Sequence, residues 1–273
     1  MSTLISVYAT PEAETAGAVA AVIASLPASF TPATDPATAA PEVTAVAGHE
    51  GWTGRAAEAI RAGSRGVVVS DPAAEDPTAL AQTAAASGAV VVLDQRWAGN
   101  PAIAASHDAA RAVIAAAVAD CVLLDSVAYG APGDDPLALL AEHLAALLQT
   151  GVEPDGLRVI QRSGHGYTLV GKLANGAPAA LQGITTASVP ATATISFLTS
   201  AGRADITVPD PAAAWPAEIR SVTAEGATTL PTIYESAHRH SWRRIRQLLQ
   251  AGESSTDLQQ FAALTSLIAR LND

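Results

Sequence analysis

The residues that could do chemistry are few and mostly isolated. His143, in Leu139-Leu140-Ala141-Glu142-His143, is the first candidate. An imidazole titrates near neutral pH and can serve as a general acid or base. The same residue among leucines also fits the plainer reading of a partly buried, hydrogen-bonded helix histidine. His238 and His240 suggest a ligand pair, but positions i and i+2 of a helix point to different sides and do not easily share one ion. His49, His107 and His165 show no ligand spacing, and Cys121 stands alone, which excludes an internal disulfide or a cysteine-built metal centre. No metal is expected. No Gly-x-Ser-x-Gly turn occurs, and Ser163-Gly164 lacks a base and an acid at workable spacing. Of the 15 cations, 14 are arginine, so Lys172 is the one lysine open to any mechanism.

Composition narrows the field further. With 273 residues and 49% hydrophobic side chains, the chain can bury a core or two, and wholesale disorder is excluded. The net charge is −11, and it is unevenly spread: residues 1–160 hold 6 arginines against 18 acids, the remainder 9 cations against 8. Such a chain is a poor partner for a nucleic-acid backbone. No apolar run reaches membrane-spanning length, and the first residues carry no basic leader, so a cytoplasmic protein without membrane association is expected. The one dense basic run, His238-Arg239-His240-Ser241-Trp242-Arg243-Arg244-Ile245-Arg246, reads either as an anion site or as a solvated helix face paired with acids.

The elements that must position these residues change character along the chain. Leu4–Ala9 reads as a strand, and Thr10-Pro11-Glu12 as an N-cap with proline in the first helical position, opening a helix to Leu26. Residues 27–42, with four prolines, read as a loop. Strands at 42–47, 65–70 and 89–94 alternate with helices at 53–62 and 77–87, which argues for a parallel sheet with helical crossovers. A helix at 101–119, a strand at 121–127 and a helix capped by Asp134-Asp135-Pro136 follow. From 157 to 222 the signals are strands joined by turns such as Asn175-Gly176, and two helices close the chain at about 233–250 and 256–271.

The order of these pieces resembles the glucose-fructose oxidoreductase/inositol dehydrogenase (Gfo/Idh/MocA) family. Gly66-Val67-Val68-Val69-Ser70-Asp71-Pro72 is similar to that family's strand and Glu-Lys-Pro motif, and Gln95-Arg96-Trp97 before Pro101 to its entry into the second domain. The segment around His143 resembles the helix bearing its catalytic histidine, and Tyr234-Glu235 through Trp242 its closing helices. The resemblance implies an incomplete Rossmann-like parallel α/β domain over 1–97. An α+β domain over 98–273 would follow, with an open, mostly antiparallel sheet and helices on one face. It implies His143 as the remnant of a catalytic trio, and Arg96, Trp97 and Lys172 as residues of a possible pocket for a small sugar-like ligand; Trp215 is a further candidate lining residue.

The departures carry as much weight. A dinucleotide needs glycines after the first strand, so that backbone amides at a helix N-terminus reach the pyrophosphate. Here that turn is Ala9-Thr10-Pro11-Glu12-Ala13-Glu14, with no glycine before Gly17. Ser70-Asp71-Pro72 replaces Glu-Lys-Pro, and Leu139 stands where the family has an acid. The expected function is therefore that of a relative which has lost cofactor binding and catalysis and acts as a binding or partner subunit in sugar or polyol metabolism, with no cofactor. The alternative is an active NAD(P)-dependent sugar or inositol oxidoreductase with an atypical cofactor site. Strands 178–185 and 191–199 are uncharged on both alternating sets, so a homodimer through the sheet is expected, with Leu181, Ile184, Ile195 and Phe197 on it. Related oxidoreductases associate through this sheet.

Overall fold

The computed structural model describes residues 4–33, 40–104, 108–212 and 215–272. It divides into two compact units, Met1–Gln95 with Ala237–Ile268, and Arg96–Ser236 with Ala269–Asp273. The break after Gln95 falls close to the expected boundary. The closing helices, expected in the second domain, pack in the first unit instead.

In the first unit, β1 (Ile5–Ala9), β2 (Phe30–Pro32), β3 (Val43–Ala47), β4 (Gly66–Ser70) and β5 (Val90–Asp94) form a five-stranded sheet in the order β2-β1-β3-β4-β5. Every pairing is parallel. Strands β3, β4 and β5 are buried at each position, as strands covered on both faces must be. The crossovers are α1 (Pro11–Gly17), α2 (Val19–Ala24), α3 (Trp52–Arg61) and α4 (Thr78–Ser87). The single helix expected to Leu26 breaks at Ala18, whose φ of 44° is left-handed. Glu14 holds both sides of the break, its carbonyl accepting from Ala18 N–H and its carboxylate from Ala20 N–H. Gly17 is required there, because any Cβ would strike the Ser70 hydroxyl. The proline-rich stretch read as a loop contains β2, anchored by Phe30, whose ring meets Trp242 edge-on at 5.4 Å. The rest of the expected loop, at 34–39, and His107 lie outside the described residues.

Trp242 belongs to α7 (Ala237–Ala251), the helix made from the basic run. Its apolar side buries Trp242 and Ile245 against Ile5, Phe30, Val68 and Val92. Its polar side is paired within the unit: Arg239 donates to the Ser25 carbonyl at 2.8 Å, Arg246 to the Ser29 hydroxyl, and Arg244 to Asp257. The run is thus a fastening surface rather than a free basic patch. Asp257 opens α8 (Asp257–Asn272) and also accepts from Leu93 N–H at 2.8 Å, while Phe261 packs edge-on against Trp52.

The second unit begins with α5 (Asp108–Ala119), which starts later than the expected position 101, and β6 (Cys121–Gly130). Next comes α6 (Pro136–Gln149), capped by the Asp135 carboxylate on Leu137 N–H as its sequence predicts. Strands β7 (Asp155–Ser163), β8 (Gly166–Lys172), β9 (Pro178–Thr185), β10 (Thr192–Thr199), β11 (Gly202–Pro209), β12 (Glu218–Thr223) and β13 (Gly226–Thr229) complete the unit. They form an eight-stranded sheet, β13-β12-β11-β10-β6-β9-β8-β7. All neighbours are antiparallel except the pair β6–β9. A parallel α/β sheet followed by a mostly antiparallel one is the expected fold class.

Both α5 and α6 pack on this sheet. Register places Ile195 beside Ser126 and Ser126 beside Leu181, so Leu181, Ile195 and Phe197 belong to one buried set. Three of the four residues expected on a dimer face are therefore core. Only Ile184 lies on the other face, with Leu123, Val127, Tyr129, Ala180 and Leu198. Parity was unreadable because both alternating sets in β9 and β10 are uncharged. Among the described residues, no helix is long and apolar enough to cross a membrane.

If α7 closes the parallel sheet as this packing implies, Trp242→Ala should cost about 3–5 kcal/mol. Thermal unfolding followed by circular dichroism should register it as a marked fall in Tm, and an unchanged Tm would contradict the assignment.

Candidate functional site

The turn between β1 and α1 is where a Rossmann-type sheet would receive a pyrophosphate. A helix N-terminus offers four backbone donors that have no partner within the helix. Here Pro11 has no N–H. The Glu12 carboxylate is held below the ordinary glutamate range, first by its own backbone amide and then by the Thr10 hydroxyl. Ala13 N–H goes to Thr10 Oγ1 at 3.2 Å, and Glu14 N–H to the Thr10 carbonyl at 2.9 Å. Thr10 thus takes two of the amides at this helix N-terminus, Pro11 offers none, and Glu12 adds an acidic side chain in the first turn. The residues of this turn do not fit a dinucleotide bound in the usual way.

At the carboxyl edge of the same sheet, Ser70 and Asp94 end neighbouring strands in register. Asp94 is fully buried and bonds His238 Nδ1 at 2.7 Å through Oδ2. Its Oδ1 and the Ser70 hydroxyl are buried without a partner among the described residues. Asp71, at the lysine position of the Glu-Lys-Pro motif, is left-handed at φ 51° and donates its N–H to the Asp94 carbonyl at 3.0 Å. A carboxylate cannot supply what the family's lysine supplies.

In the second unit His143 is completely buried between α6 and the sheet. Its Nε2 lies 2.6 Å from Ser126 Oγ and its Nδ1 2.9 Å from the Tyr167 hydroxyl. Ser126 Oγ also lies 3.1 Å from the Thr194 carbonyl, and the Tyr167 hydroxyl 3.5 Å from the Leu139 carbonyl. Two proton arrangements satisfy this chain. With Nε2 protonated it donates to Ser126, which donates to Thr194, while Tyr167 donates to Nδ1; the reverse tautomer sends the final proton to Leu139. The shorter 3.1 Å terminus favours the first. Burial pushes the imidazole down to about 3 and the Tyr167 phenol upward, so both stay neutral. Gly183 makes the arrangement possible, because a Cβ there would enter the Tyr167 ring.

The suggested pocket trio is not assembled as expected. Trp97 is fully buried, with the Arg96 guanidinium 5.8 Å from its ring centroid. Arg96 lies 3.4 Å from Asp134 and 3.8 Å from Asp210, and its backbone N–H donates to Glu142 at 3.0 Å. Lys172 ends β8, exposed, 3.5 Å from Asp155 on the neighbouring strand. Trp215 by contrast is exposed and lines a cavity with Tyr234, Asp210 and Asn100. Sequence reasoning missed Ser126, Tyr167, Asp134 and Asp210. Only strand register and the fold of the connecting loops bring them to His143 and Arg96. His238 bonds Asp94, and no group of three or more metal-ligating side chains occurs among the described residues.

No protein-family model and no curated protein sequence matches this chain. Solved structures do. The chain superimposes on KijD10, a 3-ketoreductase from Actinomadura kijaniata in complex with NADP, with a TM-score of 0.70 and 17% identity, covering 99% of this chain and 88% of that one. The fold is that of the Gfo/Idh/MocA oxidoreductases. UDP-N-acetylglucosamine 3-dehydrogenase from Acidithiobacillus ferrooxidans gives 0.64 at 14% identity, covering 94% of this chain and 86% of that one. An oxidoreductase from Sinorhizobium meliloti gives 0.72 at 11%, covering 98% and 96%.

The buried imidazole makes stability depend on pH. His143 is neutral when folded but takes up a proton below about 6.5 when unfolded, so the unfolded state gains protons as pH falls from 6.5 towards 3. Stability from this group is complete above 6.5 and declines across that window, by roughly 3 kcal/mol at pH 4. Urea titrations of the protein and of His143→Gln between pH 7 and 4 should give a shallower pH slope for the variant. Equal slopes would show that His143 titrates alike in both states.

Proposed function

We propose that this protein is a binding or partner subunit in sugar or polyol metabolism that keeps the oxidoreductase fold without dinucleotide chemistry. The observation that carries this reading is the β1–α1 turn, where Pro11 has no N–H and Thr10 takes those of Ala13 and Glu14. The buried, neutral His143 supports it, since both ring nitrogens serve the interior and neither reaches a substrate. In this reading the Ser126–His143–Tyr167 chain is a specificity element of the core.

A second reading, an active NAD(P)-dependent sugar oxidoreductase with an atypical cofactor site, has support of its own. KijD10, similar over nearly the whole chain, was crystallised with NADP. The unpartnered Ser70 and Asp94 oxygens lie at the sheet edge where α/β proteins receive ligands. One titration separates the two. NADPH followed by nicotinamide fluorescence and by calorimetry should give no saturable binding tighter than about 1 mM, which is roughly 4 kcal/mol. Micromolar binding would establish the second reading.

The uncovered face of the second sheet supports a homodimer. Leu123, Val127, Tyr129, Ala180, Ile184 and Leu198 form a partly exposed apolar surface there, interrupted by Asp125 and the Arg203–Asp205 pair. A stable pair of such faces needs about 1,000 Å² in total. Light scattering should report a dimer that Ile184→Asp splits while the melting profile is retained; a monomeric parent protein would refute it.

A further inference from the structure

Asn175-Gly176 is the one Asn-Gly pair in the chain, and it has a chemistry of its own. The backbone nitrogen that follows an asparagine can attack the side-chain amide carbon. Glycine, without a side chain, leaves that nitrogen most accessible. The other two asparagines are followed by different neighbours: Asn100 by Pro101, whose nitrogen bears no hydrogen, and Asn272 by Asp273, which carries a side chain.

In the second unit the pair lies in the 173–177 connection between β8 and β9. Gly176 is left-handed at φ 85°, and its N–H donates to the Leu173 carbonyl at 2.8 Å. Asn175 Oδ1 accepts from Ala177 N–H at 3.0 Å. Its Nδ2 reaches out of the hairpin, donating to the Cys121 carbonyl at 3.0 Å and the Val118 carbonyl at 3.3 Å. Val118 belongs to the last turn of α5, where carbonyls have no partner within the helix. Asn175 therefore fastens the hairpin to the α5–β6 junction, and it does so as an amide. A carboxylate in its place has no hydrogen for either carbonyl and sets a negative charge at the negative end of α5.

The atoms that must move in the attack are the ones this arrangement holds. The Gly176 nitrogen is engaged with Leu173, and the amide nitrogen that would leave with Cys121 and Val118. Ala174, Asn175 and Gly176 are all exposed, so the turn can open without unpairing the strands.

We infer that Asn175 is a deamidation site gated by opening of the β8–β9 turn, and that its reaction unfastens the hairpin from α5. In the opened turn the deprotonated Gly176 nitrogen bonds to Asn175 Cγ, the Cγ–Nδ2 bond breaks, and Nδ2 leaves as ammonia. Water then opens the cyclic imide at either carbonyl, giving aspartate or isoaspartate. Nothing is oxidised or reduced, and water is the sole co-reactant.

The protein is held in mildly alkaline buffer, with and without urea, beside the peptide Leu-Ala-Asn-Gly-Ala-Pro. Peptide mapping by mass spectrometry follows the conversion of Asn175 and separates the two products. Both should form in urea at the rate of the peptide, and in the folded protein about tenfold or more slowly. Asn175→Asp, which carries the charge of the product, should lower Tm by about 2–4 °C. The acidic fraction that ion exchange separates from aged protein should show the same fall, and it stands in for the variant if that fails to fold. A folded-state rate equal to that of the peptide, no conversion of Asn175 in urea, or an unchanged Tm in the acidic forms would overturn the inference.

Discussion

A parallel sheet must be covered on both faces, and the first unit lacks the local crossovers to do it. Among the described residues no strand and helix stand between β2 and β3, which pairs on the other side of β1. The surface left over is closed by α7, from the far end of the chain, whose Trp242 and Ile245 enter the same core as Ile5, Phe30 and Val92. Four polar side chains on that helix help to keep it docked. Arg239 and Arg246 reach the α2–β2 connection, Arg244 reaches Asp257, and His238 reaches the buried Asp94. A basic run that looked like an anion site is the consequence of needing a far-off helix.

Much of the architecture is legible in the sequence because local rules are decisive there. Thr10-Pro11 and Asp135-Pro136 cap helices as their chemistry requires, and Val67–Val69 and Val91–Leu93 are too apolar for anything but doubly covered strands. The site is less legible. Ser126, His143 and Tyr167 lie 17 and 24 positions apart and meet only through the registers of β6, β8 and β9 against α6. Parity in β9 and β10 has no charge to mark it. Phe30 shows why β2 was missed: three strand residues inside a proline-rich stretch give no periodic signal, and their stability comes from Trp242, two hundred positions on.

A shared fold does not by itself carry a shared chemistry. In the β1–α1 turn Pro11 has no N–H, and those of Ala13 and Glu14 go to Thr10. At the other unit's core His143 is a buried connector between a helix and the sheet, both ring nitrogens bonded within the interior. At the edge of the parallel sheet, by contrast, the Ser70 hydroxyl and Asp94 Oδ1 have no partner among the described residues.

The discontinuity of the first unit also sets an order of events during synthesis. Residues 96–236 are contiguous and can complete their sheet as they emerge from the ribosome. The parallel sheet begins earlier but cannot finish, since the helix that seals it is made after the whole second unit. Until then Val7, Phe30 and Val92 present an unsealed apolar face. Loop closure over some two hundred residues makes that last step slow as well as late. A nascent chain of this protein therefore carries its first unit half-built, with part of its apolar core uncovered, until the closing helices are made.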